Sequence, residues 1–300
     1  MKQTLSVVVS AYNEAHTIGR CLSSVPFADE IIVVDNESLD DTAKIARTFT
    51  KNIYRQKNLL MLNTNKNVGF SKATSDWILN LDADEVIPPE LSKEILEIIQ
   101  NNPKENGFWI ARKNFSFGKW IQHGLWWPDK QLRLFRRNKG SFPCVHIHEY
   151  IEVDGEVTTL RNPYDHYNYE SIHQYLAKID RASTSEALSL KQSKYELSWF
   201  DAFRFPVSDF LKIYFAQHGY RDGLHGLVLA LFQAFYSFAV FAKYWEMNGF
   251  ISRDISSEEI AVELKHNAKE LKYWQLSMGI DESRSTVGTI HKKILRKLIK

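Results

Sequence analysis

Three acids, Asp82, Asp84 and Glu85, end the apolar run in "WILNLDADEVIPPEL". Carboxylates packed this closely either stand in water or hold something positive, and two readings are open. The acids cap the helix that opens at Pro88 and Pro89, relieving its free N–H groups and its dipole. Alternatively, they are oxygen ligands for a hard divalent cation that arrives with a substrate. A calcium loop of the EF-hand kind is excluded. With Asp82 as position 1, Val86 takes position 5 and Ile87 position 6, where a ligand and a glycine are needed.

Such acids need elements that aim them. The pattern begins with "LSVVVSA" as a strand, "EAHTIGRCLSSV" at helical spacing, "EIIVVD" as a strand and "DDTAKIARTF" as a helix. A short strand near Ile53, a glycine-containing loop through "NVGFSKAT" and the strand "WILNLD" follow. Ser38, with Asp41 three residues on, predicts a cap for the second helix. Unbroken Val/Ile runs suit strands buried on both faces, so the fold class is α/β with a doubly wound, mostly parallel sheet. Ligands then bind outside the carboxyl ends of the strands. That rule selects residues 11–14, 35–38 and 82–85. No GxGxxG follows the first strand, which argues against a nicotinamide dehydrogenase.

Beyond residue 107 the alternation gives way to "GFWIARKNF", "QLRLFRR" and "HEYIEVDGEV", the last with a hairpin signal at Asp154-Gly155. These read as a mixed extension of the same sheet. From Ser171 the spacing is helical almost throughout, so we expect one domain over 1–170 and a helical extension over 171–300. The chain has 300 residues, 44% hydrophobic and 25% charged, a globular composition, and its net charge of +2 argues against a surface built for nucleic acid. Cys21 and Cys144 stand far apart with no CxxC spacing, which fits a reducing compartment and no thiolate metal site. The opening "MKQTLSVVVSAYNEA" reads as a first strand, since Asn13 and Glu14 stand where a signal peptide needs small residues.

Four ordered blocks, "SVVVSAYNEAHTIGRCLSSV", "EIIVVDNESLDDT", "NVGFSKAT" and "WILNLDADE", resemble the nucleotide-sugar half (about 1–110) of family 2 glycosyltransferases, which have the GT-A fold. The resemblance implies that Tyr12 stacks beside the uracil of a UDP-sugar, that Glu14 lies near the base or ribose, and that Asp35 holds the uridine. Asp82 would meet the ribose or metal-bound water, and Asp84 would ligate Mg²⁺ or Mn²⁺ bridging the diphosphate. A cation on carboxylate oxygens suits the charge that develops on a leaving diphosphate. Asn36 departs from relatives that carry a second Asp there. Lys72 reads either as a second phosphate contact or as a solvated lysine.

The later blocks "FSFGKWIQHGLWWPDKQLRLFRRNKGSF", "VHIHEYIEVDGE" and "DHYNYESIHQYLAKIDRAS" are similar to the WaaE-like branch that adds sugars to the lipopolysaccharide core. This places the acceptor half over about 111–170. An inverting transfer needs a base opposite the leaving group. Glu149 matches the family's "HE" pair and is the first candidate, with a salt bridge to the "LRLFRR" arginines as its structural alternative; Asp129 is the second candidate. Arg133, Arg136 and Arg137 either bind a phosphorylated acceptor or form a solvated basic edge. Trp126 and Trp127 either stack on sugar rings or pack the core. His146 and His148 share a face of a strand without evident further zinc ligands, leaving His148 as a candidate phosphate or cation contact.

The implied function is an inverting, metal-dependent transfer of a hexose from a UDP-sugar to a bacterial envelope glycan or glycolipid. A sugar-nucleotide nucleotidyltransferase is the rival enzyme, although "SAYNEA" stands where a GxGTR-like loop belongs. A non-catalytic glycan-binding relative is the third reading. The run "GLHGLVLALFQAFYSFAVFA" is long enough to cross a bilayer but carries His225, Gln233 and Ser237, so we expect a buried or interfacial helix. The terminal "HKKILRKLIK" holds five Lys/Arg and no acid, which suits the inner face of a cytoplasmic membrane or a solvated tail.

Overall fold

The computed structural model describes residues 2–59, 61–145, 149–283 and 285–299. The chain divides into two compact units: Met1–Phe115 with Trp127–Asn168, and Ser116–Trp126 with Tyr169–Lys300. The class is α/β with a helical C-terminal part.

The first unit is built on β1 (Leu5–Ala11), β2 (Glu30–Asp35), β3 (Ile53–Arg55) and β4 (Trp77–Asp82), joined in the order β3-β2-β1-β4 with every pairing parallel. Side chains alternate between two cores, as a pleated strand requires. Val7, Val9, Leu79 and Leu81 enter one core with α1 (Ile18–Ser23), α2 (Thr42–Ala46) and α4 (Pro89–Gln100), while Val8, Ile32 and Ile78 enter the other. That second face is covered by α3 (Leu62–Lys72), an 11-residue helix where the sequence reading had a loop. Its buried positions are Asn63, Asn65, Gly69 and Phe70, so no apolar periodicity announced it. Gly69 permits the close approach, because a Cβ there would stand 2.4 Å from Val8 Cγ1.

Beyond β4 the sheet turns mixed. β5 (Glu85–Val86) pairs antiparallel with β12 (Tyr164–Tyr169), β6 (Gly107–Ser116) is antiparallel to β8 (Asp129–Arg136), and β8 is antiparallel to β4. The start of β8 therefore lies at the carboxyl edge of β4, and Arg112 of β6 pairs in register with Asp129. Two local expectations are corrected. Asp154-Gly155 closes no hairpin: Glu152–Val153 pairs with Gly140–Ser141 in a small separate sheet, and Val157–Thr159 runs parallel to β6. Ser38 caps no helix, since α2 starts at Thr42 and Ser38 Oγ accepts from the Asn13 N–H.

In the second unit α5 (Ile172–Gln192), α6 (Asp201–Leu211) and α7 (Leu224–Met247) pack together, and α8 (Ser257–Asp281) and α9 (Thr286–Ile299) follow. Ser256 and Glu259 form a reciprocal capping box at the start of α8. Ile121, Tyr175, Ile179 and Leu229 make its core, with Trp126 packed against them. α7 is long and apolar enough to cross a membrane by length and composition. Its buried positions include Leu229, Ser237 and Val240, and Ser237 Oγ donates to Asp209 of α6.

Candidate active site

The loops after β1 and β2 are stitched to each other. The N–H groups of Asn13, Glu14 and Ala15 donate to Ser38 Oγ, Thr42 Oγ1 and Asp40 Oδ2, and the Leu39 N–H donates back to Asn13 Oδ1 at 2.8 Å. Tyr12 and Glu14 are half-buried here, and Thr17 Oγ1 donates to Glu14 Oε2 at 2.7 Å. Asp35 is 4% exposed and accepts the Ser38 N–H at 3.2 Å. Asn36 turns inward, donating to Ser10 Oγ and accepting from Asn65 Nδ2. Its amide is thus spent on the fold.

Asp82 leaves the end of β4 between two cations. Lys66 Nζ of α3 lies 2.5 Å from Oδ1 and Arg133 Nη2 of β8 lies 2.8 Å from Oδ2. Burial opposes ionisation, but these cations outweigh it and hold the carboxyl well below the usual carboxylate range. Arg133 also reaches Glu85 Oε1 at 2.5 Å and Tyr164 Oη at 3.2 Å. Burial first, then the Asp82 charge, push the Glu85 carboxyl up against the pull of Arg133. None of these acids caps α4, whose N-cap is Pro88 with no side-chain hydrogen bond. Proline needs no N–H there.

A second chain of contacts leads to Asp84. Asp129 Oδ2 accepts from Arg112 Nε at 2.8 Å, Arg112 Nη2 at 2.5 Å and Asn114 Nδ2 at 3.2 Å, and Gln131 Nε2 donates to Oδ1. Burial works against its charge, yet Arg112 keeps the carboxyl below its ordinary value. A carboxylate only accepts, so it turns the Asn114 amide to present Oδ1 to His166 Nδ1, 2.6 Å away. His166 thus has Nδ1 on Asn114 and turns Nε2 toward Asp84 Oδ2, 3.4 Å distant. A carboxylate oxygen and an imidazole nitrogen facing each other are ligand types for a small divalent cation, and the Asn114 contact is the outer support such a ligand uses. Among the described residues no group of three His, Cys, Asp or Glu converges.

Glu149 stands across a cavity of about 360 Å³ lined also by Asn63, Lys66, Asp82, Arg112 and Asp129. It accepts the Cys144 N–H at 2.6 Å, the Val145 N–H at 3.0 Å and Asn63 Nδ2 at 3.2 Å. The structure brings Asp82, Asp129 and Glu149 to one polar cleft. It does not bring all the sequence candidates there. Lys72 is exposed at the far end of α3, with Nζ 5.4 Å from the Tyr54 ring centre. Arg133 is buried in ion pairs and offers nothing to an acceptor. Arg136 sits at the opposite edge of the sheet, bonded to Asn102 Oδ1 and Pro103 O, over Trp77. Trp126 packs in the core of the second unit. His146 and His148 lie outside the described residues. Sequence reasoning missed Lys66, Asn63, Arg112, Asn114 and His166. The block "DHYNY" held His166 in plain view, but nothing local paired it with Asp84.

The model of the family described as "Glycosyl transferase family 2" matches residues 6–151. The chain is 28% identical over 256 residues to an uncharacterized glycosyltransferase of Rickettsia prowazekii, covering 81% of this chain and 87% of that one. It is 25% identical over 258 residues to the lipopolysaccharide core biosynthesis glycosyltransferase LpsC of Rhizobium meliloti, covering 84% and 96%. Among solved structures it is similar to the mannosyltransferase PcManGT of Pyrobaculum calidifontis, with a TM-score of 0.45 and 13% identity over 100% of this chain and 88% of that one. The family-model match and the relatives named as glycosyltransferases make the chain a family 2 glycosyltransferase, an enzyme.

Proposed function

We propose that this glycosyltransferase is an inverting, metal-dependent enzyme that moves a hexose from a UDP-sugar to an envelope glycan or glycolipid such as lipopolysaccharide core. The observation that carries the reading is the pair Asp84 and His166, whose Oδ2 and Nε2 face each other at 3.4 Å two residues on from Asp82. A divalent cation held there would neutralise charge on the leaving diphosphate. Lys66 supplies a fixed ammonium on the same side, already paired with Asp82. Tyr12, Glu14 and Asp35, on loops that brace each other, bind and orient the uridine. Glu149 takes the proton of the acceptor hydroxyl, its carboxylate aimed by Asn63 and two backbone N–H groups. Asp129, clamped by Arg112, orients Asn114 and through it His166.

Similarity to LpsC over most of both chains supports a lipopolysaccharide-like acceptor. Such an acceptor is lipid-anchored, so the enzyme works as a peripheral protein at the inner face of the cytoplasmic membrane. Calorimetry with UDP, with and without Mn²⁺, tests the centre, and turnover of UDP-glucose, UDP-galactose, UDP-N-acetylglucosamine and GDP-mannose tests the donor. UDP binding that is equally tight without a cation, and unchanged in Asp84→Asn, would overturn the metal role. Preference for GDP-mannose would overturn the uridine assignment.

A further inference from the structure

The last helix, α9, carries four Lys/Arg, one His and no acid. A surface helix of a soluble domain buries its apolar stripe; α9 leaves one exposed. Lys292 Nζ donates to the Gly279 carbonyl of α8 at 2.7 Å, Arg296 Nη1 donates to Ser277 Oγ at 3.1 Å, and the Arg296 guanidinium lies 5.5 Å from the Tyr273 ring centre. The basic face is thus the one that packs on α8. On the opposite side Val287, Ile290, Ile294 and Leu298 are 78%, 54%, 54% and 76% exposed. At 3.6 residues per turn these positions form one stripe about 16 Å long. Lys293 and Lys297, both exposed, run along its flank.

We propose that α9 is an interfacial helix that lies flat on an anionic bilayer. Val287, Ile290, Ile294 and Leu298 insert at the acyl boundary, and Lys293 and Lys297 meet acidic headgroups. The proposal rests on the reading of the chain as working at a membrane surface and names the element that makes the contact. Charge selects the occupant: apolar residues flanked by lysines match anionic headgroups. Two copies joined through this stripe would instead crowd their lysines, with no acid of α9 to offset them. Lys292 and Arg296 meanwhile fasten the helix to α8 by their polar ends.

The test uses the full chain and sedimentation with phosphatidylcholine vesicles, with and without phosphatidylglycerol. Wild type should bind the anionic vesicles, and the double variant Ile294→Asp, Leu298→Asp should bind at least roughly tenfold more weakly. The double variant Lys293→Gln, Lys297→Gln should bind less tightly at low salt and lose most of its salt dependence, since headgroup attraction is screened within about 8 Å at physiological ionic strength. Melting temperature and hydrolysis of a soluble UDP-sugar should stay unchanged in both, as these side chains are exposed and outside the cleft. Unchanged vesicle binding by the Asp variant, with wild type bound, overturns the role of α9 and leaves the membrane reading standing. A wild type that ignores anionic vesicles overturns both. A wild-type dimer that only the Asp variant disperses, without vesicle binding, assigns the stripe to a second copy and overturns the proposal.

Discussion

His166 Nε2 faces Asp84 Oδ2 at 3.4 Å, and Asn114 Oδ1, 2.6 Å from Nδ1, fixes the ring from its other side. Replacing Asn114 by Leu removes the amide that fixes this ring, together with its bond to Asp129. Mn²⁺ affinity in the presence of UDP should fall about 10- to 100-fold, as for other outer-shell partners of a ligating histidine. His166→Ala should lose at least as much. Electron paramagnetic titration of free Mn²⁺ reads this without turnover, and wild-type affinity in His166→Ala would remove the histidine from the site.

Lys66 and Lys72 share a helix but only Lys66 reaches the cleft. Lys66→Met should lower kcat by roughly 10² if its ammonium stabilises charge developing on the diphosphate. Lys72→Met should change kcat less than twofold. Steady-state kinetics with a soluble acceptor separates them, and equal losses would return Lys72 to the phosphate role.

Glu149 and Asp129 line one cavity with different company. Glu149→Gln should cut transfer by roughly 10² to 10⁴ with UDP affinity nearly constant, the signature of a lost general base. Asp129→Asn should weaken Mn²⁺ binding and lower the melting temperature, because Arg112 loses its nearest carboxylate. If instead Asp129→Asn abolishes transfer with metal affinity intact, the base is Asp129.

Acid should unfold the first unit through the same ion pairs. Asp82 and Asp129 have carboxyls held below their ordinary values, so the unfolded chain takes up protons first as pH drops. The stability they contribute is complete above the unfolded carboxylate value of about 4 and is lost as pH falls through the lower folded values. Melting temperature should therefore decline as pH drops below about 4, and less steeply in Asp129→Asn. Glu85, pushed up, works with the opposite sign.

Gly69→Ala tests the seat of α3. The added methyl would meet Val8 Cγ1 at 2.4 Å and Val34 Cγ2 at 3.0 Å, in a part of the core with no room to move aside. Overpacking of this kind costs about 1–3 kcal/mol. Denaturant unfolding measures it, and a stability equal to wild type would mean the helix shifts freely.

The parallel strands were legible because Val/Ile runs and acids at their ends obey simple rules, and β2 and β4 do end at Asp35 and Asp82. α3 was not, because a helix that buries two asparagines and a glycine has no apolar stripe to read. Its invisibility hid Lys66 and promoted Lys72. The arginines of β8 show a different limit: Arg133 and Arg136 look alike in "LRLFRR", but antiparallel pairing sends one to the buried acids and the other to the opposite edge. Likewise, the distance from Asp84 to His166 is a product of β12 returning beside β5, a pairing that composition does not announce.

The loops after β1 and β2 exchange four backbone hydrogen bonds through the side chains of Asn13, Ser38, Asp40 and Thr42. The amides of Asn13, Glu14, Ala15 and Leu39 should then exchange with deuterium as a group, all slowed before any nucleotide is bound. A change in one loop strands donors in the other. The two segments, some 25 residues apart in the chain, form a single cassette: a graft of either loop onto a relative has to carry both.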